Sequence, residues 1–473
     1  MAGAFKAYDV RGIYASEVNE ALFEKIGRAF VEFVNARNLA LGRDARLSSP
    51  SLFAAFSRGA TQCGCDVTDL GLAPTPLVHF AVCSRGFDAG AVITASHNSK
   101  EYNGVKFYSR GGKHLSYENG ISQIETEVAR GAVLKRKPPR LGVISQVDAA
   151  PAYVANALAK NKISKKISVV LDAGNGSGGP IALRALREAG CDVASLYCEP
   201  DGRFPNHAPD PTKPENQREA RALVESEEAE LGVALDGDAD RAVFFDEFGD
   251  ALAGDVALAI FAQDALEKQP KQPAPKIIVD VKSSLGALEA IREAGGEPVF
   301  SRVGHSYIHE AVQRLHAVFG GEYSGHYHFA ENNAADDGIF AALRMARIVA
   351  HGTPLSELAA DVPKYVSTPE LRTRFADDKK FAAVAAVKAA LKKKYGSDKA
   401  ITIDGVRLDL GDSWGLLRAS NTEPLLSIRF EAKTRPKLAE MHGIFKRELS
   451  AAGAELPSLE EMLKSEKPAK PAK

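Results

Sequence analysis

Cysteine is scarce: Cys63, Cys65, Cys83, Cys191 and Cys198 are the five in 473 residues. An odd, scattered set excludes a disulfide framework and points to a reducing compartment. Cys63-Gly64-Cys65 has no second pair near it, so it reads as packing cysteines at a helix-to-strand turn, not as a zinc or redox motif. Net charge is almost absent, since 60 Lys and Arg against 61 Asp and Glu leave −1. No global field therefore gathers nucleic acid or an anionic membrane, and any basic character must be local to a cleft. No window approaches the ~20 apolar residues that cross a bilayer. The start, Met1-Ala2-Gly3-Ala4-Phe5-Lys6, lacks the charged and then apolar pattern of a secretory signal. These absences leave a cytoplasmic protein whose partners are small molecules, not nucleic acid or membrane, and whose length allows several cores.

What the chain does have is repetition. Leu39-Ala40-Leu41-Gly42 opens an apolar stretch, a polar turn and an Ala/Phe-rich segment that stops at Gly64. Ile167-Ser168-Val169-Val170-Leu171 leads into a segment that stops at Gly190, and Ile277-Ile278-Val279 into one that stops at Gly295. Each copy reads strand, turn, helix, glycine stop, strand: β-branched runs suit buried parallel strands, and glycine suits the left-handed position that ends a helix. Right-handed crossovers place the polar turns together at the carboxyl edge of each sheet. A second polar loop follows in each copy: Thr94-Ala95-Ser96-His97-Asn98, then Asp236 to Arg241, then Gly321 to His326. The expected class is α/β, with three repeated mixed-sheet domains and a smaller C-terminal α+β domain. The divisions are 1–145 with the serine loop, 146–252 with the acidic loop, 253–366 with the third loop, and 367–456 for the α+β unit. Residues 457–473 read as a disordered low-complexity tail. In the fourth domain the Ala/Lys-rich stretch 380–395 reads as an exposed helix, and Asp404-Gly405 as a hairpin turn.

Asp236, Asp238 and Asp240 lie within five residues. Three carboxylates on one turn repel unless a cation intervenes, and all-oxygen donors suit a hard cation such as Mg²⁺. The competing motif is a calcium-binding EF-hand loop with Glu247 at its twelfth position. It fails at its sixth, where Arg241 stands in place of glycine, and its flanks read as strands. Ser96 alone reads as a turn residue. Carrying a phosphoryl group it would gain about two negative charges, which a neighbouring Mg²⁺ offsets, so Ser96 joins the three aspartates as a metal ligand. His97 adjoins it. Lys106 reads as a proton acceptor where neighbours lower its pKa.

Gly174-Asn175-Gly176-Ser177-Gly178-Gly179 matches Gly-x-Gly-x-x-Gly, follows a strand and opens a helix, with Glu199 about twenty residues on. It is the basis of an alternative reading, an NAD-dependent oxidoreductase. The equivalent turns of the other copies are not glycine-rich, which favours a structural turn. Glu322 and Ser324, between glycines, suit sugar hydroxyls. Arg418-Ala419-Ser420-Asn421-Thr422 packs a guanidinium, hydroxyls and an amide into a phosphate cradle.

Together these loops resemble the α-D-phosphohexomutase family, in its bacterial phosphomannomutase/phosphoglucomutase branch. The resemblance runs from Tyr8-Asp9-Val10-Arg11-Gly12 to the loop 418–424. It implies four domains around a central cleft, with Ser96 as the phosphoserine and its phosphate joining Asp236, Asp238 and Asp240 around Mg²⁺. It further implies that Glu322 and Ser324 hold sugar hydroxyls, and that Arg418, Ser420, Asn421 and Thr422 hold the unreacting phosphate. Tyr8, Arg11, Lys106, Arg241, Lys282 and His305 match positions lining the family's cleft, with Lys106 as general base or acid. The implied reaction moves a phosphoryl group between the 1- and 6-positions of a hexose through a hexose 1,6-bisphosphate, the last domain swinging over the cleft. The sequence departs from the branch at Tyr323, where methionine is common, and at Glu423. Ala419 and Asn421 argue against the phosphoglucosamine mutase branch.

Overall fold

The computed structural model describes residues 3–132, 134, 138–267, 269–270, 273–376, 378–419 and 425–464. Buried β-branched runs form the centre of four sheets. In the first, Asn38–Arg43 lies between parallel partners Asp66–Leu72 and Ala89–Ile93, and Tyr102–Ser109 runs antiparallel beside the latter. Val10–Ile13, Lys113–His114 and Ile144–Gln146 extend this sheet to seven strands. In the second, Ser168–Asp172 is flanked by Asp192–Leu196 and Leu231–Leu235, with Ala242–Phe245 antiparallel at the edge. In the third, Lys276–Asp280 is flanked by Glu297–Ser301 and Phe319–Gly321, with Tyr327–Phe329 antiparallel. The same four-strand order therefore occurs three times, and each of the three chemical loops joins the third strand of its unit to the antiparallel fourth.

The helix stops fall where a left-handed residue is required. Gly64, Gly190 and Gly295 have φ of 79°, 94° and 88°, and each donates its N–H back into the last turn, to Thr61, Arg187 and Arg292, closing carbonyls that would otherwise be orphaned. Gly176 and Gly178 serve a different purpose. A Cβ at Gly176 would lie 2.7 Å from the Gly237 carbonyl oxygen, and one at Gly178 would lie 2.4 Å from Ala239 Cβ. The glycine-rich turn is thus packed beneath the acidic loop, where no pyrophosphate has room, and the dinucleotide reading falls. The EF-hand reading falls as well: the acidic loop is flanked by strands, and Glu247 is turned away to accept from Ser356.

The fourth sheet is antiparallel throughout, built on Ser413–Ala419 and Leu425–Ala432, with a hairpin at Gly405 between Ala400–Ile401 and Val406–Asp409. The helix Lys380–Tyr395 is not wholly exposed as expected: Ala383, Val384, Val387 and Leu391 are buried, because that stripe packs on the sheet together with Arg435–Ala451. Part of the tail expected from 457 is ordered: Leu459–Lys464 is helical and sinks Met462 into the fourth core, an apolar anchor that composition alone underweights, while 465–473 lie outside the described residues. All five cysteines are free, and burial pushes the Cys63 and Cys65 thiols up to about 12, as packing residues require. No helix among the described residues is long and apolar enough to cross a membrane.

Candidate active site

The carboxyl ends of the repeated sheets meet. Ser96 leaves Ala89–Ile93 with φ of 50°, a left-handed geometry that is costly for a side-chain-bearing residue. Its N–H is held by Thr94 Oγ1 at 2.9 Å, and its hydroxyl donates to Asp236 Oδ2 of the second domain at 2.8 Å. His97 Nδ1 lies 3.0 Å from the same hydroxyl. Burial, with Arg241 and Arg11 adding to it, holds His97 well below the usual histidine range, so the ring is neutral.

Asp236, Asp238 and Asp240 are all buried, and one oxygen from each lies within 4.8 Å of the others. Burial and the neighbouring Asp240 and Asp238 raise the Asp236 carboxyl, the expected result of desolvating crowded like charges. Thr75 holds Asp238 from the first domain, through Oγ1 at 2.5 Å and through its N–H to the Asp238 carbonyl at 2.9 Å. The Oδ1 atoms of Asp238 and Asp240 have no hydrogen-bond partner among the described residues. Buried orphan carboxylate oxygens on an all-oxygen donor set fit a hard divalent cation.

Lys106 does not line the cleft as the family resemblance implies. It projects from Tyr102–Ser109 beneath the acidic loop, 2.8 Å from Asp238 Oδ2 and in contact with Asp240 Oδ2. Its proton-acceptor role required neighbours that lower its pKa. Burial acts in that direction, but with no ion on the acidic loop Asp238 and Asp240 outweigh it and raise the ammonium.

Above this floor opens a cleft of about 790 Å³ whose walls include Tyr8, Arg11, His97, Arg241, Lys282, His305, Glu322, Ser324 and Arg418. Ser96 is closed beneath it, 1% exposed. Arg11, on the first strand, donates to Asn98 Oδ1 at 2.6 Å. Arg241 donates through Nε to His326 Nε2 at 3.1 Å and remains 3.9 Å from Asp236. Glu322 accepts from the Gly304 N–H at 2.6 Å and faces His326 Nδ1 at 3.1 Å. Burial would raise its carboxyl, but these partners win and hold it at about 2. Ser324 Oγ meets His326 Nδ1 at 3.0 Å. Tyr8 packs edge-on against His305. On the far wall Arg418 pairs with Asp404 at 2.8 Å, and Lys282 with Glu370 at 3.4 Å. Ser420, Asn421 and Thr422 lie outside the described residues.

Two supporting residues carry no sequence signal. Arg46 is buried and donates to the carbonyls of Ser96, Asn98, Ser99 and Tyr102, pinning the serine loop. His326 joins the acidic loop to Glu322.

Comparison with known proteins matches the same four units. Residues 2–133, 151–249 and 253–365 match the phosphoglucomutase/phosphomannomutase alpha/beta/alpha domains I, II and III, and residues 370–445 the C-terminal domain. The chain is 37% identical over 461 residues to a phosphomannomutase/phosphoglucomutase of Pseudomonas aeruginosa, covering 96% of this chain and 97% of the relative. It is 37% identical over 446 residues to a phosphoglucomutase of Neisseria gonorrhoeae, covering 93% and 95%. A crystal structure of a phosphoglucomutase/phosphomannomutase family protein from Burkholderia thailandensis superposes with a TM-score of 0.87 at 34% identity, covering 96% of this chain and 99% of that one. With a domain match to each of its four units and these relatives spanning nearly its whole length, the chain belongs to the phosphoglucomutase/phosphomannomutase family.

Proposed function

We propose that this enzyme interconverts hexose 1-phosphate and hexose 6-phosphate, with glucose or mannose as the hexose, through phosphorylated Ser96 and a hexose 1,6-bisphosphate. One observation carries the reading: the Ser96 hydroxyl sits 2.8 Å from Asp236 although the two belong to different domains. A serine held in a left-handed turn against buried acids is poorly placed as a mere turn residue. It is well placed to bring an esterified oxygen to a shared cation.

Asp236, Asp238 and Asp240, with a phosphate oxygen on Ser96, would hold Mg²⁺. When bound, the ion supplies positive charge against the transferring phosphoryl group. The remaining roles fall to the chain. Glu322 and Ser324 orient the sugar hydroxyls, Glu322 as an ionised acceptor. Arg418, with the loop Ser420, Asn421 and Thr422, grips the distant phosphate, aided by Lys282, His305, Tyr8 and Arg11. In the first half-reaction the P–O bond to Ser96 Oγ breaks as the free sugar hydroxyl forms its own P–O bond. The hydroxyl proton passes to a base at the cleft floor. Arg241 faces the charge that develops. The bisphosphate then turns end over end, and its other phosphoryl group returns to Ser96, restoring the enzyme. We place the protein in the cytoplasm and its domain divisions near 145, 252 and 366.

The test is a coupled assay on glucose 1-phosphate, mannose 1-phosphate and glucosamine 1-phosphate, with wild type and Ser96→Ala, bisphosphate activator present. Turnover of the first two, lost by orders of magnitude in the variant, supports the reading. Preference for glucosamine 1-phosphate overturns the sugar assignment, and an active Ser96→Ala overturns the mechanism.

A further inference from the structure

The hairpin turn at Asp404-Gly405 belongs to the fourth domain, yet it reaches into the third. Asp404 Oδ2 accepts twice, from Arg418 Nη2 at 2.8 Å and from the Val303 N–H at 3.0 Å. Arg418 lies on the strand Ser413–Ala419, whereas Val303 joins the strand Glu297–Ser301 to the helix His305–Leu315 of the third domain. The next N–H along that loop, of Gly304, is given to Glu322 Oε1 at 2.6 Å. We propose that Asp404 is a positioning residue for the mutase reaction, a role that rests on the proposed function of Arg418 and Glu322. It sets the arginine that grips phosphate in register with the acid that grips the sugar.

A glycine stands on each side of this double contact. Gly405 has φ of 69°, and a Cβ there would lie 2.2 Å from the Leu417 carbonyl oxygen and 3.0 Å from Arg418 Cα. The turn can therefore lie flat against the strand that carries Arg418 only because Gly405 has no side chain. Gly304 has φ of 133°, and a Cβ there would press on Tyr8 and Tyr307 at 3.1 Å. The consecutive N–H groups of Val303 and Gly304 are divided between two carboxylates, one from each domain. Adjacent amides share a short, stiff stretch of backbone, so neither acid moves far without the other.

Asp404 acts through these neighbours. Val303, Gly304, Glu322 and Arg418 line the cleft, and Asp404 does not. A long side chain such as Arg418 costs binding free energy when the substrate must order it, and a partner that orders it beforehand removes that cost. Glu370 and Asp280 also act on the guanidinium, but Asp404 acts most strongly and is the acid hydrogen-bonded to it. Removing Asp404 leaves acids nearby to balance the charge, and takes away the hydrogen bond that aims it. A carboxylate that merely competed with phosphate for the arginine would have the opposite effect, and its removal would tighten substrate binding.

The test is a double-mutant cycle in the full-length enzyme, by steady-state kinetics at saturating activator on glucose 1-phosphate or mannose 1-phosphate, whichever wild type turns over faster. Asp404→Ala should raise KM about 10-fold or more, the worth of a charged hydrogen bond, with a much smaller change in kcat. Asp404→Asn, which keeps the shape and loses the charge, should raise it about threefold or more. In an Arg418→Ala background, Asp404→Ala should add less than about twofold, because the group it aims is gone. An unchanged or lower KM in the Asp404 variants overturns the proposal, as does a loss confined to kcat or a fully additive effect in the Arg418→Ala background. Should Asp404→Ala not fold, Asp404→Asn decides by the same cycle. An unchanged KM in Arg418→Ala alone refutes the phosphate grip and this role with it, whereas a raised KM there beside unchanged Asp404 variants refutes this role only.

Discussion

Replacing Arg46 by lysine removes the clamp that holds Ser96 in its left-handed turn. The guanidinium reaches the Ser96 and Asn98 carbonyls at 2.8 and 2.6 Å and those of Ser99 and Tyr102 at 2.6 and 3.0 Å. Its Nε is anchored on Asp44 at 3.0 Å. Lysine keeps the charge but offers one compact ammonium in place of a planar fork, so it cannot reach carbonyls spread over a seven-residue loop. At least two of the four buried acceptors lose their partner, at about 1–3 kcal/mol each, giving a stability loss of about 2–6 kcal/mol. The catalytic effect follows from position: a shift of ~1 Å at a reacting atom costs on the order of 100-fold in rate.

Arg46 does not line the cleft, so kcat should fall by roughly 100-fold while KM for the sugar phosphate changes little. Steady-state kinetics with saturating activator, paired with urea unfolding, separates the two effects. A variant with wild-type kcat and an unmoved unfolding midpoint would refute the claim that this clamp sets the serine loop.

Asp238→Asn should abolish the metal requirement together with activity, since it removes one of three carboxylates and half of the Lys106 contact; an active variant with an unchanged Mg²⁺ titration would contradict the donor set. Arg418→Ala should raise KM by about 10–100-fold, the worth of a charged hydrogen bond of ~1.5–3 kcal/mol, with an unchanged KM refuting the phosphate grip. Glu370 links stability to pH: burial raises its carboxyl, but Lys282, Ser427 and Arg418 overcome that and hold it at about 2. A depressed carboxyl stabilises the fold above its unfolded value near 4.5 and loses that contribution as pH falls through about 2, a total of about 3 kcal/mol. Thermal unfolding of Glu370→Gln against wild type, from pH 5 down to 2.5, should show curves that converge; parallel curves would sink the assignment.

What could be read from the sequence was local. A β-branched run, a polar turn, a helix and a glycine with positive φ are encoded within some thirty residues, and three copies announced three homologous sheets. The acid triad and the serine loop were legible because each packs its chemistry into one turn. What was not legible depends on partners far apart in the chain. Arg46 sits in an unremarkable Asp44-Ala45-Arg46 turn, and only the tertiary structure aims it at carbonyls some fifty residues away. Lys106 shows the same limit from the other side. Its strand position was readable, but not that it would end against two aspartates from another domain.

The contact between the third and fourth domains limits how the cleft can close. Trp414 and Leu416 of the fourth sheet are buried against Val281 and Leu285 of the third domain. Arg407, fully enclosed, stacks on Trp414 at 3.9 Å and on Phe300 at 4.8 Å and donates to the Val281 and Ser283 carbonyls at 2.9 and 2.7 Å. Nearby, the Leu285 N–H reaches Glu431 at 3.2 Å, and Arg429 reaches the Lys282 carbonyl at 3.2 Å. Lifting the fourth domain away would expose a tryptophan and break several charge-assisted hydrogen bonds at once, each worth about 1.5–3 kcal/mol, a larger cost than one phosphate contact returns. Any closing motion must therefore turn about this interface and keep it intact, carrying Arg418 over the cleft while Lys282 stays beside it. A motion of that kind preserves one wall of the site while the other re-forms around whichever phosphate is presented, as a substrate that leaves and returns by opposite ends requires.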